Sequence, residues 1–383
     1  MEIKEIDCGV CIDNFRASGV REGGYGVALI VNESPCETAA VYTTSNLKAA
    51  PVLVTKEKIM KGRLQAVIAN SGNANACVRD GVDDAKRMCE IAGRELDLNP
   101  GNIGVASTGI IGRRLDMDLI ERLTGKAATE LSTGGGGDAA RAIMTTDTLD
   151  KQLSFEYKGI KIGGICKGAG MIAPNLATML CFLTTNADLS RSELQDSLNK
   201  VVEDSFNMLV VDNDMSTNDM VLLMSNGGVK CELNDFGFLL DYITKGFVKL
   251  MAFDAEGATK FLEVELLGAL DRDSARAGAK SIVSSSLVKT ALYGENPNWG
   301  RIAAAVGVVT EFDLMKFDLV FESGDERAVV VKKGNPGDLE RARKILKHKQ
   351  IKVTVNLNLG EESAVAWGCD LSPEYVKINA EYS

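Results

Sequence analysis

The segment with the clearest chemical potential is a small, glycine-rich and apolar stretch that places Thr178 at the start of a hydrophobic run. It extends from Lys167 to Leu180 and reads KGAGMIAPNLATML. A threonine hydroxyl is nearly inert at neutral pH unless a base lies beside it, and histidine is the usual base. The one histidine, His348, lies in a basic run and fits a solvated position near the C-terminal end of a helix. The sequence therefore favours an amine, a lysine or a carboxylate as the base.

Cleavage of the bond between Ala177 and Thr178 would supply such a base. It would free an α-amine with a reference pKa of about 7.7 to 8.0, so a useful fraction would be neutral near pH 7. The same residue carries the hydroxyl and the amine, which gives the base a very high local concentration. The hydroxyl can also open the bond, because attack on the Ala177 carbonyl forms an ester that water hydrolyses. We therefore predict that the chain cuts itself before Thr178 and that the new N-terminal threonine is an acyl-transfer nucleophile.

An ordinary structural role explains the same stretch, namely a threonine at the start of a strand after a glycine-rich turn. Composition alone favours this simpler interpretation, because single motifs are weak evidence. A strand-like segment that ends in Thr108-Gly109 could direct a backbone N–H at an oxyanion, or it could be a plain turn. Glu256 is either an exposed turn residue or, if held near Thr178, a group that handles a proton or binds a substrate ammonium.

The composition indicates an ordinary globular protein. The 383 residues are more than one core usually serves, so two or more substructures are expected. Hydrophobic residues make up 45% and charged residues 25% of the chain, unlike a disordered protein. The net charge of -10 argues against a general nucleic-acid binder. The first residues lack a signal-peptide pattern and no uncharged apolar run reaches about 18 residues, so we expect a cytoplasmic protein without a membrane span.

No metal site is predicted. The nine cysteines, an odd number, argue against a disulfide framework. The pair Cys8 and Cys11 lacks the second pair or the histidine partner that would complete a zinc site. The segment that begins at Asp212 starts like a calcium loop, but Thr217 and Leu223 occupy the positions that need glycine and glutamate.

Hydrophobic periodicity predicts mixed strands and helices. The expected strands are residues 25–31, 64–69, 151–158, 179–183 and 261–270, and the expected helices are residues 82–96 and 274–286. A compact α/β unit is expected from about residue 315, with strands at 317–322, 328–332, 351–358 and 363–368 and a helix at 338–348. Asp116 and Ser190 are predicted helix N-caps. Residues 132–138 are expected to form a flexible loop, and residues 294–301 a rigid turn.

Eight short segments occur in an order that is typical of one enzyme family. They are Asn70 to Cys77 (NSGNANAC), Ser107 to Gly112 (STGIIG), Ala142 to Thr148 (AIMTTDT), Lys167 to Leu180 (KGAGMIAPNLATML), Asp214 to Asp219 (DMSTND), Asp254 to Lys260 (DAEGATK), Asn296 to Ile302 (NPNWGRI) and Tyr375 to Tyr382 (YVKINAEY). Through these segments the chain resembles the ornithine acetyltransferase family, also called the glutamate N-acetyltransferase or ArgJ family, along nearly its whole length.

The resemblance implies a precursor that cuts itself before Thr178. The products would be an α chain of residues 1–177 and a β chain of residues 178–383, which begins with the nucleophile and includes a C-terminal α/β subdomain from roughly residues 260–315 onward. The two chains would stay together as an α2β2 heterotetramer. The implied fold is α/β, a layered α/β/β/α-type sandwich of the ArgJ/DmpA-like kind.

The implied activity is acetyl transfer in arginine biosynthesis. Thr178 would take the acetyl group from N2-acetyl-L-ornithine, release ornithine, and pass the acetyl group to L-glutamate in a ping-pong cycle. Some members of the family also accept acetyl-CoA, so the resemblance implies no cofactor other than this co-substrate and no metal.

The resemblance also assigns roles to individual residues. Thr108 and Gly109 would form the oxyanion hole, and the substrate contacts would be Thr145, Lys167, Thr178, Glu256 and Asn379. The charges agree with these roles, because Lys167 offers a cation for a substrate α-carboxylate and Glu256 an anion for the ornithine ammonium. Two rival functions stay open: a self-cleaving aminopeptidase or amidohydrolase of related fold, and a binding protein whose chain stays uncut.

Overall fold

The computed structural model describes residues 2–173 and 179–381, which form two compact units. Unit 1 comprises residues 2–168, 179–203 and 215–247, and unit 2 comprises residues 169–173, 204–214 and 248–381. Each unit contains one β-sheet. The α/β class predicted from the sequence is therefore confirmed, and the fold is that of a mixed α/β protein with two sheets.

Unit 1 is built on a nine-stranded sheet. Its strands are β1 (Lys4–Glu5), β2 (Phe15–Glu22), β3 (Tyr25–Tyr42), β4 (Leu64–Ser71), β5 (Ile103–Ser107), β6 (Lys151–Tyr157), β7 (Ile160–Lys167), β8 (Leu180–Ala187) and β10 (Met220–Val229). The helices of this unit are α1 (Ala50–Lys61), α2 (Gly81–Leu96), α3 (Met117–Thr129), α4 (Gly136–Ala142) and α5 (Arg191–Glu203). The strand order is β1-β6-β7-β8-β10-β3-β4-β5, with β2 paired to β3. The boundary between the units falls within α6 (Leu233–Phe253).

Both faces of this sheet are buried, which explains why its strands read as continuous apolar runs. In β4, Val67 and Ala69 belong to one hydrophobic cluster, which also contains residues of α4. The alternate residues Ala66 and Ile68 belong to a second cluster, which also contains residues of α2 and α3. Because successive side chains of a strand point to opposite faces, one apolar run supplies two cores. The sequence feature that marked such strands was therefore an apolar run of strand length, not an alternation of apolar and polar residues.

Unit 2 is built on a seven-stranded sheet. Its strands are β9 (Leu209–Val210), β11 (Phe261–Ala269), β12 (Asp318–Ser323), β13 (Glu326–Lys332), β14 (Asn335–Pro336), β15 (Gln350–Asn356) and β16 (Glu362–Cys369), in the order β14-β13-β12-β15-β11-β16-β9. The helices are α7 (Arg272–Ser284), α8 (Ser286–Tyr293), α9 (Trp299–Gly307), α10 (Leu339–Ile345) and α11 (Pro373–Glu381). The strands and the helix predicted after residue 315 are confirmed as β12, β13, β15, β16 and α10.

Capping residues begin helices where the sequence predicted them. The Asp116 side chain accepts the Leu119 N–H at 3.0 Å, and Ser190 and Glu193 form a reciprocal capping box. The helix expected at 274–286 is confirmed as α7, and a separate helix, α8, follows it. Two local predictions were wrong in part. Residues 132–138 are not entirely a loop, because α4 begins at Gly136, and the expected turn at 294–301 already contains the first residues of α9.

Within residues 2–173 and 179–381, no helix combines the length and the apolar character needed to cross a membrane. No group of three or more metal-binding side chains was found in those ranges. All nine cysteines fall within them, and each is a free thiol.

Candidate active site

The predicted cleavage segment connects two neighbouring antiparallel strands of unit 1. β7 ends at Lys167, β8 begins at Leu180, and these two residues are paired across the hairpin. Nearly every residue of β7 and every residue of β8 is buried. Ala177 and Thr178 belong to the connection and lie outside the described residues, so their roles remain predictions. The connection is therefore flanked at both ends by buried, paired strands.

Lys167 places a buried ammonium group at the end of β7. The residue is 3% exposed, and its Nζ donates a hydrogen bond to Thr108 Oγ1 at 3.3 Å. Thr108, which directly follows β5, is itself buried and lies 59 residues earlier in the chain. The structure therefore brings together two residues for which the sequence predicted separate roles, one toward a substrate carboxylate and one in the oxyanion hole.

Sequence reasoning did not single out Asp147, which ties this part of the site together. Its Oδ1 accepts hydrogen bonds from Lys151 Nζ at 2.8 Å and from the Gly168 N–H at 2.7 Å. Its Oδ2 accepts the N–H of the half-buried Thr145 at 3.1 Å. The Asp147 carboxylate thus holds the backbone of Thr145, a predicted substrate contact. It also holds the backbone of Gly168, which directly follows Lys167, a second predicted contact.

The charges of this cluster favour an anionic ligand. Burial would raise the pKa of Asp147, but the ammonium groups of Lys167 and Lys151, with the hydrogen bonds from Lys151 and the Gly168 N–H, lower it to about 2. Asp147 is therefore ionised at neutral pH and faces two cations. A buried ammonium group is stabilised by an anionic partner, so the Lys167 side of the cluster can accept a substrate carboxylate.

The backbone of the Thr108–Gly109 segment restricts which groups can act on an oxyanion. The Thr108 N–H donates to the Asn70 carbonyl at 2.9 Å, so this N–H is already engaged. The Thr108 hydroxyl accepts from Lys167, which leaves its own hydrogen for a further acceptor. Gly109 has φ +130°, and a Cβ there would collide with the backbone of Gly72 and Asn73. Only glycine fits this position without strain.

The other two predicted substrate contacts lie together in unit 2. Asn379, on α11, donates from Nδ2 to Glu256 Oε2 at 2.8 Å, and the Glu256 N–H donates to the Ala169 carbonyl at 2.9 Å. The Glu256 carboxylate lies so close to Gly170 that a Cβ at residue 170 would collide with it. Glycine at this position therefore leaves room for the carboxylate, which is only partly buried.

Asp212, where the sequence excluded a calcium site, braces the same turn in unit 2. Its two carboxylate oxygens accept the N–H groups of Met171 at 2.6 Å and Ile172 at 2.8 Å, and Oδ2 also accepts from the Tyr375 hydroxyl at 3.1 Å. Burial raises the pKa of Asp212, although these hydrogen bonds lower it. The Asp212 carboxylate thus stabilises the backbone at Met171 and Ile172, which precede the predicted cleavage bond in the sequence. Met171 has φ +55°, so the turn is held in a conformation that a non-glycine residue seldom adopts.

Unit 1 offers a buried cation and a hydroxyl donor beside the β7–β8 connection. Groups of these kinds can bind a carboxylate and stabilise a developing oxyanion, as acyl transfer requires. Unit 2, described by itself, offers a carboxylate with an amide partner. The residues that sequence reasoning missed, Asp147 and Asp219 above all, lie inside the segments 142–148 and 214–219. These segments were recognised as motifs, but the sequence did not show which of their side chains are buried.

Comparison with known proteins identifies the family. The model of the ArgJ family matches residues 14–383. The chain is 44% identical to a glutamate N-acetyltransferase of Methanothermobacter thermautotrophicus, with 100% of this chain and 99% of the relative covered. It is 42% identical to the arginine biosynthesis bifunctional protein ArgJ of Caldanaerobacter subterraneus, with 95% and 94% covered. The crystal structure of the corresponding Bacillus halodurans protein is 37% identical, covers 52% of this chain and 98% of its own, and has a TM-score of 0.49. The chain therefore belongs to the ArgJ family.

Proposed function

We propose that this protein is a self-processing N-terminal-threonine acetyltransferase of arginine biosynthesis. It moves acetyl from N2-acetyl-L-ornithine to L-glutamate in a ping-pong cycle, with Thr178 as the nucleophile. The name of the Methanothermobacter relative, glutamate N-acetyltransferase, supports the acceptor and the group transferred. The donor is taken from the family resemblance of the sequence.

The observation that carries the proposal is the buried contact between Lys167 and Thr108 at the mouth of the β7–β8 hairpin. It places a cation and a hydroxyl donor at the hairpin whose connection contains Thr178 in the sequence. In the proposed reaction, Lys167 binds the α-carboxylate that acetylornithine and glutamate share. The Thr108 hydroxyl and the Gly109 N–H bind the oxyanion of the acyl transfer. Removing one such donor typically costs about 3 to 4 kcal/mol of the barrier.

The other proposed substrate contacts serve the two ends of the substrate. Glu256, held by Asn379, binds the side-chain ammonium of ornithine. Thr145 lines the carboxylate side, where Asp147 fixes its backbone. The liberated α-amine of Thr178 accepts the proton of the hydroxyl during attack and returns it to the leaving amine.

Strand order supports the proposal that the two products stay together after cleavage. Cleavage before Thr178 would leave β8 and β10 in the second product and the other strands of the nine-stranded sheet in the first. These two strands lie between β7 on one side and β3 on the other. The products could not separate without breaking two full strand pairings of a buried sheet. The α2β2 assembly and the cytoplasmic location are further parts of the proposal, and both rest on the family resemblance and composition.

The test uses the purified protein with N2-acetyl-L-ornithine, with and without glutamate. Transfer predicts ornithine release that depends on glutamate after a single turnover, together with equal formation of N-acetylglutamate. Ornithine release at the same rate without glutamate would replace transfer by hydrolysis, the activity of an amidohydrolase. Thr178→Ala is the matched control and should release no ornithine. Denaturing mass spectrometry of the same sample reports cleavage, because a single 41.0 kDa species would contradict processing.

Acetyl-CoA is the second donor to test, because the Caldanaerobacter relative is named bifunctional. No cofactor other than this co-substrate is proposed, and no metal. Parallel assays of free thiol release from acetyl-CoA and of ornithine release from acetylornithine would distinguish a protein with one donor from a protein with two.

A further inference from the structure

Asp219 is a fully buried carboxyl group that the proposed reaction leaves without a role. It lies immediately before β10, and the residue is 0% exposed. Its Oδ1 accepts the Met179 N–H at 2.9 Å, and the Met179 carbonyl in turn accepts the Met220 N–H at 3.1 Å. Both backbone groups of Met179 are thus held from the 219–220 segment. The Met179 N–H belongs to the peptide bond that joins this residue to Thr178 in the sequence.

The second oxygen of the carboxyl is in an unusual position. Asp219 Oδ2 is buried, and no residue in the described part of the chain forms a hydrogen bond with it. The groups that face the carboxyl are the charged Lys167 and the hydroxyls of Ser216 and Thr43. Burial raises the pKa of Asp219 well above its ordinary value, although the Met179 N–H, Lys167 and the two hydroxyls act in the opposite direction. Burial without a partner for Oδ2 thus favours the un-ionised form of this carboxyl group.

Asn218, the residue before Asp219, binds the backbone next to Thr108. Asn218 Nδ2 donates to the Ser107 carbonyl at 2.8 Å and to the Ala74 carbonyl at 2.6 Å. Ser107 is the last residue of β5 and directly precedes Thr108. Asn218 is buried, and its Oδ1 accepts from the Thr217 hydroxyl, so its orientation is fixed. Two consecutive residues therefore hold the segment of the proposed oxyanion donor and the peptide after the proposed nucleophile.

We propose that Asn218 and Asp219 are the positioning pair of the proposed reaction, which fixes the Ser107–Thr108 segment relative to Met179, the residue that follows the proposed nucleophile in the sequence. The inference rests on the proposed function, because it assigns Thr178 as the nucleophile. Asp219 performs this task as a neutral acid. A negative charge one residue from the α-amine would favour the ammonium form, which cannot act as a base. An un-ionised carboxyl accepts the same N–H without that effect.

The experiment compares Asp219→Asn with Asp219→Ala in the full-length chain. Asparagine keeps an acceptor for the Met179 N–H and replaces the acid O–H by another donor, whereas alanine removes both. We expect Asp219→Asn to retain self-cleavage and kcat within about three-fold of wild type, and Asp219→Ala to lower both about ten-fold or more with little change in KM. Equal losses in the two variants, or no loss in the alanine variant, would overturn the inference.

The pH profile gives a readout that a purely structural role would not move. With a neutral Asp219, the rising limb of kcat against pH has the same midpoint in wild type and Asp219→Asn. If Asp219 were ionised, its removal would lower the pKa of the α-amine and move the limb to lower pH, and that result would overturn the inference. This comparison decides even if Asp219→Ala fails to fold, because it uses only the asparagine variant.

Failure of the proposed function has a different signature. If wild type stays uncut, or if Thr178→Ala is cut at the same bond, the nucleophile is misassigned and the inference falls with it. If wild type is cut before Thr178 and only the Asp219 variants depart from expectation, the inference alone is overturned. Circular dichroism and thermal unfolding of each variant confirm that the compared proteins are folded.

Discussion

Lys167 Nζ lies 3.3 Å from Thr108 Oγ1 inside unit 1, and both side chains are buried. The hydroxyl must act as the acceptor in this contact, because an ammonium group has no lone pair to offer. The hydrogen of the Thr108 hydroxyl is therefore directed elsewhere. Since the Thr108 N–H is engaged with the Asn70 carbonyl, the side chain and not the backbone of Thr108 is the donor that a substrate can meet.

This relationship predicts the effects of substitutions at Thr108. Thr108→Ala removes the hydroxyl and should lower kcat by about 10²-fold or more, the usual effect of losing one oxyanion donor. Thr108→Ser keeps the hydroxyl and should stay within about ten-fold of wild type. The backbone hydrogen bond to Asn70 survives in both variants, so their unfolding midpoints in urea should be similar. A serine variant as inactive as the alanine variant would contradict a hydroxyl donor.

Lys167 should be required for substrates that carry an α-carboxylate. Lys167→Met keeps most of the apolar stem but removes the charge, so KM for both acetylornithine and glutamate should rise by about ten-fold or more, as expected when a charged hydrogen bond is lost. Lys161→Met is the matched control. Lys161 lies on the same strand but pairs with Asp13 at the partly exposed surface, so its removal should leave steady-state kinetics unchanged.

The lowered pKa of Asp147 predicts that the protein loses stability in acid. Its folded-state pKa is lowered to about 2, below the ordinary value of 3.8. A lowered pKa contributes stability that is present above the unfolded-state value and is lost as pH falls from about 4 to about 2. The contribution is on the order of 2 kcal/mol. In urea titrations across this window, wild type should lose more unfolding free energy than Asp147→Asn, which should be less stable at pH 7 and flatter in acid. Parallel curves would contradict the assignment.

A substitution at Gly170 tests whether the absence of a side chain there keeps the Glu256 carboxylate in place. Gly170→Ala places a Cβ against the Glu256 carboxylate and should displace it from Asn379. The expected result is a higher KM for acetylornithine, by about ten-fold, because the proposed ammonium contact is lost. Gly237→Ala is the control, since a Cβ there meets nothing within 4 Å and the site is within α6. That substitution should leave KM unchanged and should slightly stabilise the helix.

The sequence predicted the individual strands better than the order in which the strands pair in the sheet. The strands 25–31 and 64–69 were recognisable because both faces are apolar, and they are parts of β3 and β4. Nothing in one sequence shows that β8 and β10 enter the sheet between β7 and β3, because strand order depends on contacts far apart in the chain. The loop predicted at residues 132–138 was wrong for a local reason. Glycine weakens a helix, but Ala139 and Ala140 are buried in a hydrophobic cluster of unit 1, and this burial stabilises α4.

The site was predictable where a motif marks chemistry and unpredictable where burial creates it. Lys167 and Thr108 came from the family resemblance, and the structure places them in contact. Asp147 and Asp219 are ordinary aspartates in the sequence. They gain their properties from opposite environments, because two ammonium groups lower the pKa of Asp147 despite burial, whereas burial raises the pKa of Asp219. Lys151 is only four residues from Asp147, but Lys167 and the burial of both carboxyl groups depend on residues further away in the sequence, so no local pattern shows either environment.

The central position of β8 and β10 gives the last prediction, which concerns the products of self-cleavage. If the chain is cut before Thr178, both fragments should elute together in gel filtration and appear as one complex in native mass spectrometry, because β8 stays paired to β7 along the hairpin. Urea should separate the fragments only at the concentration that unfolds the nine-stranded sheet, as followed by circular dichroism. The uncut Thr178→Ala protein is the control, and it should unfold at higher urea because its two halves remain covalently joined. Fragments that separate while the sheet signal is intact would contradict the strand order on which this prediction depends.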